Sequence, residues 1–234
     1  MPGVSALLAA VGFLTRVPVR GGDPTRGAPA FPIVGACIGA AVGGTAFGLA
    51  RVMPTLPAAG VALAVGAVLT GALHLDGLAD TADALGTRTR ERALAAMRDH
   101  ATGAYGVTAV ALNLIVKASA LAALAPHARI VLDALAAGAL SRAVPVVLAS
   151  ALPPARTDGA GAAFRIGPVA VVTAVAIAAG VALVASGWLI LPAAGAALVV
   201  GTWSWRRLGG VTGDTLGAAS ELAETATLVV AAAL

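Results

Sequence analysis

Three aspartates occupy eight consecutive positions directly after a long uncharged segment. The stretch reads "HLDGLADTADALG" from His74 to Gly86, and the sixteen residues 58–73 before it carry no charge. At about 100° per residue, Asp76, Asp80 and Asp83 fall within roughly 60° of arc on a helix. The pattern predicts a stripe of carboxylates on one helix face.

A second acidic group lies between residues 214 and 224. Asp214, Glu221 and Glu224 span roughly 80° by the same count, and the two glutamates lie within an otherwise apolar segment. The two groups hold six of the eleven acidic residues of the chain, and neither contains a lysine or arginine. Their carboxylates therefore repel one another, and an ionisable residue within an apolar span indicates function.

A divalent cation would relieve this repulsion. Oxygen ligands suit Mg²⁺, which commonly binds through a few carboxylates together with substrate phosphates. The alternative is a solvated, charged helix end, which is the ordinary place for a run of charges. We predict Mg²⁺ as the cofactor, with ligands drawn from both groups: Asp76, Asp80, Asp83, Asp214, Glu221 and Glu224.

Basic residues flank both acidic groups and point to an anionic, phosphorylated substrate. Four arginines between residues 88 and 98 follow the first group, and Arg206 and Arg207 precede the second. Singly each is an ordinary anchor at a membrane edge, but together they form a cationic funnel. Lys117 and Arg142 lie within apolar segments, where each needs an anionic partner, either an acidic group or a substrate phosphate. The predicted substrate contacts are His74, Arg98, Lys117 and Arg142.

The composition indicates an integral membrane protein. Of the 234 residues, 59% are hydrophobic and only 11% are charged, whereas soluble domains carry about 25% charged residues. The mean hydropathy is +0.94. Residues 1–234 are expected to form one membrane domain surrounded by lipid, without a nucleic-acid partner. A homo-oligomer is compatible with this composition.

Runs of about 20 apolar residues predict the membrane spans. Small residues such as those in "GAAVGG" (39–44) and "AAGAAL" (193–198) favour close helix packing in lipid. Residues 1–20 are expected to form an interfacial helix or a retained first segment, and 189–205 is short for a crossing. The fold class is therefore an all-α polytopic bundle with about seven spans: 31–50, 57–74, 102–124, 129–151, 168–187, 189–205 and 215–234.

The distribution of arginine predicts the orientation in the membrane, since cytoplasmic loops are enriched in basic residues. If loop 75–100 is cytoplasmic, loops 152–167 and 206–214 share that face and the amino terminus is cytosolic. Two arginines, Arg51 and Arg129, fall on the opposite side. Eleven fall on the cytoplasmic side: Arg16, Arg20, Arg26, Arg88, Arg90, Arg92, Arg98, Arg156, Arg165, Arg206 and Arg207.

Six segments resemble, in the same order, motifs of the cobalamin synthase family, the adenosylcobinamide-GDP ribazoletransferases. They are "FLTRVPVR" (13–20), "FPIVGACIGA" (31–40), "HLDGLADTADALG" (74–86), "AMRDHATGAYGV" (96–107), "SR" (141–142) and "LGGVTGDTLGAASELAE" (208–224).

The resemblance implies a multi-pass enzyme of the bacterial inner membrane with a cytosolic active site. Such an enzyme joins adenosylcobinamide-GDP to α-ribazole or its 5′-phosphate, releases GMP and requires Mg²⁺, completing the nucleotide loop in cobalamin (vitamin B12) biosynthesis. The implied catalytic residues are Asp76, Asp80 and Asp83. We assign Asp83 as the base that accepts the proton of the attacking ribose hydroxyl, by analogy with the last aspartate of membrane phosphotransferases.

Three alternatives fit less well. A CDP-alcohol phosphotransferase has the pattern D-G-x2-A-R-x8-G-x3-D-x3-D, and here Asp80 stands where that pattern has arginine. A cation transporter would place its acidic residues near the middle of the membrane and away from arginines that repel a cation. A purely structural scaffold would not need carboxylates without cationic partners.

Overall fold

A computed structural model of the chain describes residues 2–19, 22–156 and 166–234. These residues are almost entirely helical, and none of them lies in a β-strand, although Pro154 and Val211 form one isolated bridge. Arg20 and Arg165, both counted in the predicted orientation, lie outside the described residues. The helices are α1 (Pro2–Leu14), α2 (Pro24–Gly27), α3 (Phe31–Leu49), α4 (Thr55–Thr70), α5 (Leu73–Leu85), α6 (Arg90–Ala96), α7 (Ala104–Leu124), α8 (Ile130–Ala151), α9 (Pro168–Ala185), α10 (Ile190–Leu208) and α11 (Gly213–Ala233).

The predicted all-α polytopic bundle is confirmed. In the described part of the chain, six helical segments are long and apolar enough to cross a membrane, and the bent pair α4–α5 makes up to seven. Segment 189–205, expected to be short, is part of a 22-residue apolar span from Gly187 to Leu208. Helix α1 is too short to cross. Large apolar side chains point outward from α4, α7, α9 and α10, as lipid requires of a multi-pass membrane protein.

Helices α3 and α8 form the most closely packed pair of the bundle. Gly35 and Gly39 face the backbone of α8 so closely that a Cβ on either would overlap a carbonyl oxygen of α8. A Cβ on Gly43 would lie 2.8 Å from the Cβ of Ala134. Within "GAAVGG", Gly39 and Gly43 thus pack closely against α8, as small residues allow, whereas Gly44 has open space around it. In "AAGAAL", Gly195 makes no such close approach, since no described atom beyond its own helix backbone and chain neighbours lies within 4 Å of a Cβ added there.

A sharp turn separates α4 from α5. The sequence predicted one span over 57–74, but α4 ends at Thr70 and the chain bends by 93° before α5 begins. Gly71 and Ala72 both adopt the left-handed conformation, with φ of 63° and 57°. Glycine takes this conformation without strain, whereas alanine pays a steric cost. The bend directs α5 across the ends of α7 and α11.

Three segments that were predicted to lie on the same side of the membrane meet at one end of the bundle. Arg90 donates hydrogen bonds to the carbonyls of Leu208 (2.7 Å) and Ala155 (2.6 Å), and Arg207 donates to the carbonyl of Thr87. The segments around residues 75–100, 152–156 and 206–211 therefore form one surface, which we call the polar end of the bundle.

Candidate active site

Helices α5 and α11 pack through two glycines beside the aspartates. A Cβ on Gly77 would lie 2.8 Å from the carbonyl oxygen of Asp214, and one on Gly217 would lie 3.4 Å from the Cα of Gly77. Glycine at both positions lets the two backbones approach closely. This contact brings Asp76 and Asp80 next to Asp214, although the two acidic groups are about 130 residues apart in the sequence.

Asp76, Asp80, Asp83 and Asp214 form an aspartate cluster at the polar end. The charges of Asp76, Asp83 and Asp214 all act on the half-buried Asp80, as does the opposite charge of Arg156. Arg156 forms an ion pair with Asp214, Nη2 to Oδ2 at 3.3 Å. Among the described residues, four carboxylates and the guanidinium of Arg156 give this site a net negative charge.

Asp214 is positioned by the start of α11. The side chain of Thr212 accepts a hydrogen bond from the Thr215 amide, and the side chain of Thr215 accepts one from the Thr212 amide, which forms a capping box. Thr212 Oγ1 also donates to Asp214 Oδ2 at 3.2 Å. A carboxylate in the first turn is favoured by the helix dipole. The local sequence therefore fixes Asp214 at the polar end.

Asp83 holds the beginning of α7. Its two carboxylate oxygens accept hydrogen bonds from the backbone amides of Gly103 (2.7 Å) and Gly106 (2.9 Å). Helix termini leave such amides without intrahelical partners, so Asp83 caps α7 from a different helix. A Cβ on either glycine would lie 2.5 Å from a carboxylate oxygen of Asp83. Both glycines belong to "AMRDHATGAYGV", but the sequence alone gave no reason for them.

Glu221 and Glu224 lie away from the aspartate cluster, deeper along α11. At 1.5 Å per residue they are roughly 10 and 15 Å beyond Asp214. Lys117 Nζ forms an ion pair with Glu221 and lies 3.3 Å from Glu224 Oε1, and Arg142 forms an ion pair with Glu224. We call these four residues the inner charge cluster.

The inner charge cluster is buried and electrically balanced. Lys117 and Arg142 are each 3% exposed and Glu221 is 5% exposed, and the four formal charges sum to zero. Asn113 donates to Glu221 Oε1 at 3.0 Å and accepts from Thr225 at 2.7 Å. Of the two partners predicted for Lys117 and Arg142, the structure shows the acidic group. Asn113 and Thr225 were missed, because neither carries a charge that marks it in the sequence.

His74 lies between the two clusters. It is buried, and its Nδ1 atom has no hydrogen-bond partner among the described residues. It lines a small inner cavity with Lys117 and Arg142, and also a cavity with Asp76 and Asp214. The predicted substrate contacts are therefore spread over three environments, since Arg98 is exposed just after α6.

The aspartate cluster suits Mg²⁺ by its chemistry. Its donors are oxygens, its charge is net negative, and Mg²⁺ usually takes one or two carboxylates, several waters and substrate phosphates. Within the described residues, no three His, Cys, Asp or Glu side chains already converge on one ion position. Asp76, Asp80 and Asp214 offer carboxylate oxygens for one or two bonds to a metal, and water and substrate phosphates would have to supply the remaining ligands. Glu221 and Glu224 are instead neutralised by Lys117 and Arg142.

These features define a multi-pass membrane protein with an acidic site at the polar end of its helix bundle. The chain belongs to the cobalamin-5-phosphate synthase family, which it matches over residues 6–232. This confirms the family resemblance found in the sequence.

Several curated relatives share the name adenosylcobinamide-GDP ribazoletransferase. The protein of Bradyrhizobium diazoefficiens is 40% identical, over 98% of this chain and 94% of its own length. Those of Sinorhizobium medicae and Rhizobium etli are 40% and 39% identical, over 93% and 94% of this chain and 92% and 93% of their own lengths. No solved structure matches the chain.

Proposed function

We propose that the protein is a Mg²⁺-dependent transferase that joins adenosylcobinamide-GDP to α-ribazole or its 5′-phosphate. The observation that carries the proposal is the aspartate cluster at the polar end, in a chain that aligns along nearly its whole length with relatives of that name. The family match favours this reaction over a CDP-alcohol phosphotransferase or a cation transporter.

In the proposed reaction a ribose hydroxyl of the acceptor attacks the phosphorus that carries the cobinamide group. A new P–O bond forms, the pyrophosphate P–O bond breaks, and the electron pair leaves with GMP. The proton of the hydroxyl passes to a base, for which we propose Asp83. Such phosphoryl transfer depends mainly on positioning and on neutralising the charge of the phosphate oxygens.

We propose Asp76, Asp80 and Asp214 as the main metal ligands, with Asp83 beside them. Bound Mg²⁺ would supply positive charge to the phosphate oxygens of the donor. We propose that Arg156, which pairs with Asp214, and the exposed Arg98 attract the donor phosphates. A metal role for Glu221 and Glu224 remains a prediction, and the alternative that we favour is that they serve as counter-ions of Lys117 and Arg142.

We further propose that the polar end faces the cytoplasm from the bacterial inner membrane. The arginines of that end support this orientation. With Cys37 replaced by alanine, single cysteines at positions 88 and 206 should react from the same, cytoplasmic side with a thiol reagent that cannot cross the membrane. Labelling of both from the outside would reverse the orientation, and labelling from opposite sides would contradict the fold.

The function is tested with purified protein in detergent, adenosylcobinamide-GDP, α-ribazole and Mg²⁺. We expect release of GMP that depends on the acceptor and stops in EDTA. Asp76→Asn should abolish GMP release while the protein stays folded. The exposed Glu91, which lies near the polar end but outside the cluster and outside the family motifs, provides the control Glu91→Gln. Release of GMP at the same rate without acceptor would indicate a hydrolase instead.

A further inference from the structure

A shallow groove runs along the surface of α10 and ends in two arginines. Its volume is about 510 Å³. The lining residues come in pairs from three successive turns of the helix, so they lie on one helix face. We call this surface the α10 groove, and it consists of Leu198, Val199, Thr202, Trp203, Arg206 and Arg207.

The apolar part of the α10 groove faces away from the bundle. The side chains of Leu198 and Val199 are 71% and 68% exposed. Both belong to the apolar segment Gly187–Leu208, which is long enough to cross a membrane. Exposed apolar side chains in the middle of such a segment lie in the hydrocarbon layer. This part of the groove is therefore open to acyl chains.

The basic part of the α10 groove lies at the level of the lipid headgroups. Arg207 donates a hydrogen bond to the carbonyl of Thr87, which places it at the polar end of the bundle. Arg206 beside it is exposed. Trp205, directly before the arginines, is 52% exposed, and tryptophan is enriched where a spanning helix passes the membrane–water interface. One groove thus joins the hydrocarbon layer to a positively charged site at the interface.

We infer that the α10 groove binds a phospholipid with an anionic headgroup, whose phosphate contacts Arg206 and whose acyl chains lie along Leu198 and Val199. Val199 and Arg206 are about 10 Å apart along the helix, so one lipid molecule reaches both. Arginine forms strong, charge-assisted hydrogen bonds with phosphate, and Arg207 adds a second positive charge. A headgroup with a net negative charge is therefore favoured over a zwitterionic one. The inference is independent of the proposed function.

A second copy of the chain would fit this surface less well. Two copies with the same orientation in the membrane that packed face to face through the α10 groove would bring their arginine ends together. The like charges of Arg206 and Arg207 would then repel their counterparts. An anionic lipid instead supplies the opposite charge at the basic part and acyl chains at the apolar part.

The first experiment measures lipid binding to the purified protein in a neutral detergent by native mass spectrometry. Dioleoylphosphatidylglycerol and dioleoylphosphatidylcholine have the same acyl chains and differ in headgroup charge. The wild type should bind phosphatidylglycerol more tightly by about fivefold or more. Arg206→Gln should weaken phosphatidylglycerol binding about fivefold and leave phosphatidylcholine binding unchanged.

The matched control is Arg51→Gln, which removes the same charge from an exposed arginine that follows α3 and does not line the groove. This variant should bind both lipids as the wild type does. Equal affinity of the wild type for the two lipids would overturn the inference. An equal loss of phosphatidylglycerol binding in Arg206→Gln and Arg51→Gln would also overturn it, because the attraction would then be spread over the whole surface.

A second variant separates a defined groove from a general attraction of arginines to anionic lipid. Thr202→Phe keeps every charge but fills the groove between its apolar and basic parts, where the half-buried Thr202 lies. The preference for phosphatidylglycerol should decrease in this variant, and a preference equal to that of the wild type would overturn the inference. A change from dimer to monomer with unchanged lipid binding would overturn it in favour of a second copy. None of these measurements involves turnover, so their failure is distinct from a failure of the proposed function.

Discussion

Glu221→Gln is the substitution that best separates a structural role of the inner charge cluster from metal binding. In the wild type, the positive charges of Lys117 and Arg142 balance the negative charges of Glu221 and Glu224. The variant leaves one excess positive charge among side chains that are almost fully buried. Breaking a buried ion pair by removing one partner costs about 3–5 kcal/mol.

This cost translates into a large change in thermal stability. For a chain of 150–250 residues, 1 kcal/mol corresponds to about 2–4 °C in the unfolding temperature, so we expect a decrease of roughly 6–20 °C. The assay is the fraction of protein that remains monodisperse in size-exclusion chromatography after heating in detergent. The exposed Glu91 provides the control Glu91→Gln, which should leave the unfolding temperature unchanged.

A double variant tests the physical reason. In Lys117→Met with Glu221→Gln, the remaining Arg142 and Glu224 still balance each other, so no uncompensated charge is buried. Most of the stability lost in Glu221→Gln should therefore be recovered in the double variant. Additive effects of the two substitutions would instead make the double variant less stable than Glu221→Gln alone. The reasoning is refuted if Glu221→Gln retains the wild-type unfolding temperature and instead raises the Mg²⁺ concentration needed for half-maximal turnover. Glu221 would then be a metal ligand.

Three further predictions concern the aspartate cluster and helix packing. Asp83→Asn, assayed at a temperature at which the variant stays folded, should lower turnover with little change in the half-saturating Mg²⁺ concentration, as expected of a base. A rise of about tenfold, or 1.4 kcal/mol of metal affinity, would make Asp83 a ligand, and a loss of turnover only where the variant unfolds would reflect its hydrogen bonds to α7 alone. Asp80→Asn should abolish GMP release yet raise the unfolding temperature in EDTA, because it removes one of several mutually repelling charges; lower stability in EDTA would contradict the like-charge argument. Gly39→Ala should destabilise the protein by about 1–3 kcal/mol or more through overlap with α8, whereas Gly44→Ala, with open space around it, should be tolerated in the same heating assay.

The features that depend on local sequence were predictable. Apolar runs of sufficient length located the spans, and the arginines identified the loops that meet at the polar end. The stripe of Asp76, Asp80 and Asp83 followed from helical periodicity alone. The bend after Thr70 was not predicted, because an uncharged run through Gly71 and Ala72 carries no hydropathy signal for it. A left-handed alanine is set by tertiary contacts and not by propensity.

The partner of each charged residue could not be read from the sequence. Lys117 meets Glu221 across 104 positions and Arg142 meets Glu224 across 82, and no local pattern encodes such pairs. The sequence placed Asp214, Glu221 and Glu224 on one face of one helix, which is correct for the backbone. It could not show that basic side chains from α7 and α8 reach the two glutamates and leave Asp214 with the aspartates of α5.

The different charge balance along α11 explains how one helix can serve both stability and chemistry. Around Glu221 and Glu224, every negative charge has a basic partner in the protein, so the buried cluster is neutral without any ligand. Around Asp214, the described residues supply Arg156 but also Asp76, Asp80 and Asp83, so we expect cations from outside the protein to balance the charge. Uncompensated charge of this kind lowers stability and persists in proteins mainly at functional sites. This charge imbalance lies at the end of the bundle that water and soluble substrates can reach. We therefore expect Mg²⁺ and phosphates to bind at the aspartate cluster.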